Sequence, residues 1–374
     1  MPVTIPLISQ SGATSTVTLP DLPVTLGAVI VTTGTEARPS ASVVLLGRHP
    51  RRAGILMPIL TGAGTRIKFL IGAGLTAAIV VLVATGAIIS APPAQPASCP
   101  VSQANVPGGP DGSGGCWPGP GNTGPAAVPT QTYPAPTGSR YVITQDTTID
   151  GYNINGDFLI QSGTLTIKNS VVTGTVEVQS PGAIDVENSK VLGGDWVGAT
   201  FDGPNITINH SDISGTPTVV NCSGNCTMTE TYSHDPWFFT NMDAHSSAFA
   251  TNGGTGMTVR HNTVWCNIQV SPTGGGCTGD LALQTDFADA KNITIDHNLF
   301  PVSPSGSYCI TGGYWPTKAF THPSGIVITN NIFGKGSNGF CGVFGTSDAF
   351  STTAPGNQWT NNKYTDGTTV PPNV

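Results

Sequence analysis

The sequence predicts an all-β chain built as a parallel β-helix, and three observations carry that expectation. An eight-residue phrase recurs: apolar, any, apolar, any, Asn or His, Ser or Asn, any, often apolar. It begins at Leu165, Ile184, Ile206, Cys226, Met257, Ile293 and Ile326, with a degenerate copy at Asn357. The steps of 19, 22, 20, 31, 36, 33 and 31 residues are those of a solenoid coil. Glycine and proline, 48 and 31 of 374 residues, are the poorest helix formers.

Each phrase alternates like a short strand that ends in a polar turn. Strands this short, broken by glycine, leave no length for crossover helices, and the spacing of leucine-rich repeats is missing. In a parallel β-helix each repeat is one coil, and equivalent residues stack about 4.8 Å apart.

Composition removes other classes. A coiled coil and a helical bundle are excluded by the glycine and proline content. Charged residues are 9% of the chain, against about 25% in an ordinary soluble domain. The net charge is −7 and no Lys/Arg cluster follows residue 68, so no nucleic-acid partner is expected.

Taken in order, residues 1–68 carry six bases and two acids, and everything after them eight bases and nineteen acids. The balance therefore swings from +4 to −11. Between lies an uncharged run from Phe69 to Ile89, FLIGAGLTAAIVVLVATGAII. It is long enough for a transmembrane helix across about 30 Å of hydrocarbon. The basic flank puts the N-terminus in the cytoplasm and the rest outside. Residues 69–90 are read either as an uncleaved single-pass signal anchor in the cell membrane or as a signal peptide of a secreted protein, cut near Ala87 or Ala91. Residues 1–56 show no clear period and are expected to be disordered or an over-extended gene start ahead of Met57. Residues 91–138, rich in Pro and Gly, are expected to form a linker between membrane and domain. Residues 139–374 are the expected β-helix domain.

All eight cysteines follow the apolar run, as expected for an oxidising compartment. No metal site is expected from them, because Cys222-x-x-x-Cys226 has no second pair of matching spacing. Counting back from the phrase, Cys277, Cys309 and Cys341 fall at nearly equivalent positions in successive coils. That register pairs Cys309 with Cys341, and leaves Cys266 with Cys277 and Cys222 with Cys226. Cys99 and Cys116 can close a small loop in the linker.

The sixth phrase position holds Ser170, Ser189, Ser211, Thr231, Asn262, Asn298, Asn331 and Asn362. These are expected to stack as buried hydrogen-bonding rows at a bend, where asparagine also tolerates the left-handed backbone. The fifth position carries His210, His261 and His297. The same position also accepts Asn and Glu, so these histidines are read as a structural row.

Residues 140–374 resemble the right-handed parallel β-helix proteins of the pectate-lyase-like superfold, and among them secreted or membrane-anchored bacterial members. The stretches that carry the resemblance are CSGNCTMTETYSHD, GGTGMTVRHNTV, GGCTGDLALQTDFADAKNITIDHNLF and YCITGGYWP. The resemblance implies a right-handed coil and a groove for an extended extracellular polysaccharide. Its enzymes use carboxylate clusters that hold calcium beside a Lys or Arg base, or paired carboxylates for glycoside hydrolysis.

The coils lengthen after Cys226, so large loops begin there. These hold the aromatics expected to bind sugar, Trp237, Tyr314 and Trp315, besides Phe238, Phe239, Trp265 and Tyr308. Asp243, His245 and Asp280 lie 14, 12 and 13 residues before their phrases and are expected to converge as catalytic candidates, with Asp235 and His234 opening the same region. Lys318 is the candidate base. Relatives often carry His-x-Asp-Gly in this stretch. Here His245-Ser246-Ser247-Ala248 replaces the acid and the glycine, which weakens any calcium capture; no cofactor other than calcium comes into question. Two functions are carried forward: carbohydrate binding at the cell surface, and a polysaccharide lyase or glycoside hydrolase.

Overall fold

The computed structural model describes residues 98–373, except 195–196 and 238–244, together with the backbone of four strands nearer the N-terminus. Phe69 to Ile89, and with them the membrane-span expectation, lie outside the described residues. Among those described, no helix is long and apolar enough to cross a membrane. Asp243, Phe238 and Phe239 also lie outside. The chain divides into two units, Met1–Ile89 and Ser90–Val374.

In the first unit Val3–Ile8 pairs antiparallel with Thr14–Leu19, and Leu26–Thr33 with Ala41–Gly47. Alternating Val, Ile and Thr favour strands in this stretch despite its lack of a clear long period.

The second unit contains three parallel sheets of stacked strands and, among the described residues, no helix. This architecture is consistent with a parallel β-helix solenoid. Nine coils each contribute one strand to each sheet. We call them sheets I, II and III in the order the chain visits them. Sheet I runs from Arg140–Ile143 to Ser347–Asp348, sheet II from Thr147–Asp150 to Gln358–Thr360, and sheet III from Tyr152–Asn155 to Lys363–Tyr364, with Gln131–Thr132 added at its first edge. The recurring phrase is the sheet II strand, the bend after it and the start of sheet III. A ninth copy opens at Thr147, which pairs with Leu165; it departs from the phrase at its first position and at the bend, where Gly151 and Tyr152 stand in the fifth and sixth places.

Alternation sets which side chains fill the interior. Phe158, Val176, Phe201, Val220, Phe249, Leu281 and Ile310 occupy successive rungs of sheet I, all essentially buried. Each such side chain removed from water contributes roughly 1.5–3 kcal/mol. In the first four coils the chain leaves sheet III at a glycine, Gly156, Gly174, Gly193 and Gly215. At Gly174, with φ +151°, a Cβ would lie 2.3 Å from the carbonyl oxygen of Gly156. No side chain fits between coils there.

The bend from sheet II to sheet III divides its two tasks between neighbouring residues. The left-handed backbone belongs to the fifth phrase position: Asn169, Asn188, His210, Glu230, His261, His297, Asn330 and Asn361 all have φ between 47° and 57°. This corrects the assignment of that conformation to the sixth. The sixth-position residues are fully buried and form a continuous spine. The backbone N–H of Ser170 donates to Ser189 Oγ, that of Ser189 to Ser211 Oγ, and that of Thr231 to Asn262 Oδ1. From Asn262 onward the side chains also join: Nδ2 of Asn262, Asn298 and Asn331 each donates to Oδ1 of the next asparagine at 3.0 Å.

The stretch read as a spacer is not free from residue 98 onward. Residues 98–124 form a strap laid along the coils, closed by the Cys99–Cys116 disulfide. Trp117 on the strap is fully buried, Thr263 Oγ1 donates to Pro118 O at 2.6 Å, and Gly124 N donates to His210 O at 3.1 Å. Composition misses this because one buried tryptophan and a short disulfide loop anchor a segment that otherwise has the glycine and proline of a linker.

At the other end the chain turns back over the last coil. Lys363 bridges Thr369 antiparallel, Val370 N donates to Asn362 O at 2.9 Å, and Trp359 Nε1 donates to Val370 O at 2.8 Å.

All four disulfides are formed: Cys99–Cys116, Cys222–Cys226, Cys266–Cys277 and Cys309–Cys341. They point to an oxidising, extracytoplasmic environment. The register used to pair Cys309 with Cys341 differs from the actual one. Leu281 pairs with Ile310 and Ile310 with Ser347, so Cys309 stands on the rung of Asp280 and Thr346, while Cys341 reaches it from a loop. The connections from sheet I to sheet II differ in length from coil to coil, Ile310 standing 16 residues before Ile326 and its partner Ser347 only 10 before Asn357, and this shifts counts made backward from the phrase. A bulge between Ser246 and Ser247, opposite Cys277 and Gly279, adds one residue more in its own coil.

Candidate functional site

The length of the connection after each sheet I strand decides where the expected catalytic residues lie: Phe249 pairs with Leu281, yet Phe249 stands 8 residues before Met257 and Leu281 stands 12 before Ile293. His245 pairs with Gly276 at the start of its sheet I strand, whereas Asp280 falls opposite Ala248, further along the strand. His245 is exposed. Asp280 is completely buried, its Oδ1 accepting the Cys266 backbone N–H at 2.8 Å and its Oδ2 without a hydrogen-bond partner. The convergence of His245 and Asp280 on one groove is therefore corrected. Burial pushes the Asp280 carboxyl well above the ordinary carboxylate range, beyond what its hydrogen bonds with Cys266 and Ser303 restore. The Cys309 and Cys341 sulfurs lie within 4.8 Å of it, but they are tied to each other and offer no thiolate to a metal.

What His245 does face is a trough of about 470 Å³ along the outer side of sheet I. Outward positions on successive rungs build it. Asp202 and Asn221 share one ladder, with Asn221 Nδ2 donating to Asp202 Oδ1 at 2.8 Å. Ser247, Asn252, Thr278, Gln284 and Asp286 continue the lining. Sequence reasoning missed Asp202, Asn221, Gln284 and Asp286. Asp202 and Asn221 occupy outward positions on sheet I strands, and Gln284 and Asp286 follow the strand that ends at Leu283; no recurring phrase marks either place.

Lys318 is tied to two residues that line the trough. Its Nζ lies 2.9 Å from Asp286 Oδ1 and donates to Gln284 Oε1 at 2.5 Å, and it stands 5.4 Å from the centre of the Trp315 ring. Trp315 Nε1 is fixed on Leu283 O at 2.9 Å. Trp315 and Lys318 are thus brought together, with the lysine, expected as a base, held as an ion-pair partner. Tyr314 is 37% exposed and Trp237 45% exposed; among the described residues none of Trp237, Tyr314, Trp315 and Lys318 lines the trough itself.

Two histidine knots lie elsewhere, beside sheet III. His234, stacked on Tyr232, is held by Asp212 at 2.8 Å and Asp235 at 2.7 Å, and Lys190 bonds the other Asp212 oxygen at 2.8 Å. Burial alone would lower the His234 pKa, but the two carboxylates raise it above the usual histidine value. Held between Asp212 and Asp235, the imidazole cross-links neighbouring coils. In the second knot His261 bonds Glu230 through Nδ1 at 2.7 Å and the strap residue Asp111 through Nε2 at 3.0 Å. Trp117 stacks on the His261 ring and meets His297 edge-on. Burial, with His261 beside it, pushes the His297 pKa down.

No protein-family model, curated protein or solved structure matches this chain.

Proposed function

We propose that residues 139–374 form a right-handed, pectate-lyase-like β-helix that stands outside the cell and binds an extended polysaccharide in the sheet I trough without cleaving it. The observation that carries this reading is the state of Asp280 and Lys318, two of the four candidate catalytic residues; His245 faces the trough, and no second candidate stands free beside it among the described residues. Asp280 is buried away from the trough, and Lys318 is already paired with Asp286 and Gln284. A base must be free to reach the proton that it removes. What the trough offers is a line of amides, hydroxyls and two carboxylates on a rigid parallel scaffold, with the Trp315 indole anchored on Leu283 O, next in sequence to the lining residue Gln284. Such a surface suits hydroxyl-rich sugar rings, which hydrogen-bond along their edges and stack on aromatics. The four disulfides and the apolar run at 69–89 behind a basic flank support an exported, membrane-anchored or secreted protein.

A panel of soluble acidic and neutral polysaccharides in native affinity gels tests the reading. At least one should retard the wild type, and the double variant Asn221→Ala, Gln284→Ala should lose that retardation. Neither new reducing ends nor the ultraviolet absorbance of unsaturated uronic ends should appear. Turnover abolished by Asp202→Asn or Asp286→Asn would instead establish a hydrolase or lyase acting through the trough carboxylates.

A further inference from the structure

The knot under the strap has the composition of a metal site. We propose that Asp111, His261 and His297 bind a divalent transition ion of the zinc class, which ties the strap to the coils.

Asp111 Oδ2, a His261 ring nitrogen and a His297 ring nitrogen all lie within 4.8 Å of one another, and the Asp111–His261 pair is at 3.0 Å. Neighbouring ligands of a tetrahedral zinc stand about 3.3 Å apart, given bonds of about 2.0–2.1 Å. The carboxylate and the first imidazole are therefore already at coordinating separation, and a small swing of the His297 ring completes the triad. Two imidazoles with one carboxylate form an intermediate N/O set that favours zinc, cobalt, nickel or copper over calcium or magnesium.

The surroundings fit a metal as well as the ligands do. The far nitrogen of His261 is bonded to Glu230, so that a carboxylate orients the imidazole from behind, as it commonly does for metal-bound histidine. Asp111 is fixed by three hydrogen bonds to its Oδ1, from Ser113 N, Ser113 Oγ and Gly115 N, which leave Oδ2 directed at His261. Trp117, fully buried, covers both rings. A divalent ion would balance the charges of Asp111 and Glu230 in this half-dry setting, displacing the proton shared by Asp111 and His261.

The row of histidines at the fifth phrase position does not single out this place. His210 occupies the same row two coils earlier, and Asp111 comes from 150 residues away in sequence.

The test uses the full-length chain, stripped with a chelator, dialysed and titrated with zinc alone and with cobalt alone. One equivalent of zinc should bind. The cobalt form should show the intense visible bands of a tetrahedral site, a readout that needs no variant. Asp111→Asn and His297→Ala should each weaken zinc at least about tenfold, and Glu230→Gln should weaken it about 10–100-fold. His210→Ala should leave it unchanged. Circular dichroism of each metal-free variant establishes that the coils remain intact. The proposal is overturned if the stripped wild type takes up no zinc, if Asp111→Asn or His297→Ala retains wild-type affinity, or if His210→Ala weakens zinc as much as they do.

Discussion

At the scale of single residues, the same kind of group stabilises or destabilises according to whether its partner is present. Asn298 is fully buried and its Oδ1 accepts from both the backbone and the side chain of Asn262. Asn298→Ala strands those donors and should cost about 3 kcal/mol, read by urea unfolding, because each orphaned buried polar group costs about 1–3 kcal/mol. Asp280 is the opposite case, with one oxygen unpartnered. Its raised folded-state pKa means that the folded protein holds a proton which the unfolded chain releases above the ordinary carboxylate pKa. Stability from this group is therefore present at acid pH and lost as pH rises from the unfolded value, 3.8, through the raised folded value. Asp280→Asn should flatten that decline in melting temperature, measured across roughly pH 4 to 8. If the variant kept the wild-type slope, the decline would belong to other groups.

Elements bring in the chain that connects these residues. The strap contributes to the fold through Trp117. Trp117→Ala should cost about 3–5 kcal/mol in denaturant unfolding, the range for a buried tryptophan. The same substitution on a free linker would change nothing. The Cys309–Cys341 bond closes a separation of 32 residues. Chain entropy assigns such a loop about 3–4 kcal/mol, so the double Ser variant should unfold at correspondingly lower denaturant concentration. Both elements are long-range and local in sequence at once: short motifs whose partners stand coils away.

For the molecule as a whole, the sequence made the sheet II strands and their bend legible, because Leu165, Ile184, Ile206 and their equivalents repeat one burial demand in every coil. It also made the sixth-position spine legible, since Ser170 and Asn298 answer the same demand with different side chains. Sheet I was opaque. Its strands sit at variable distances from the phrase, and the bulge at Ser246 and Ser247 breaks any count across it. That is why His245 and Asp280 seemed to converge, and why Asp202 and Gln284 went unnoticed. Lys318 and Trp315 meet because both belong to one loop, where nearness in sequence is nearness in space. A far-ultraviolet dichroism spectrum of the chain should show a single β minimum without the helical pair, as three parallel sheets require.

The fold-back after Tyr364 has a consequence for life in a crowded compartment. A stack of parallel strands has two open faces, and each is a template on which another copy can add by backbone pairing. Here the last face is partly taken by the chain's own Thr369 and Val370, which occupy the Lys363 and Asn362 backbone. The segment acts as a terminator for what would otherwise be an elongating fibre seed. Thr369→Pro with Val370→Asp should release it. The variant should sediment as concentration-dependent linear polymers while its dichroism stays that of the monomer.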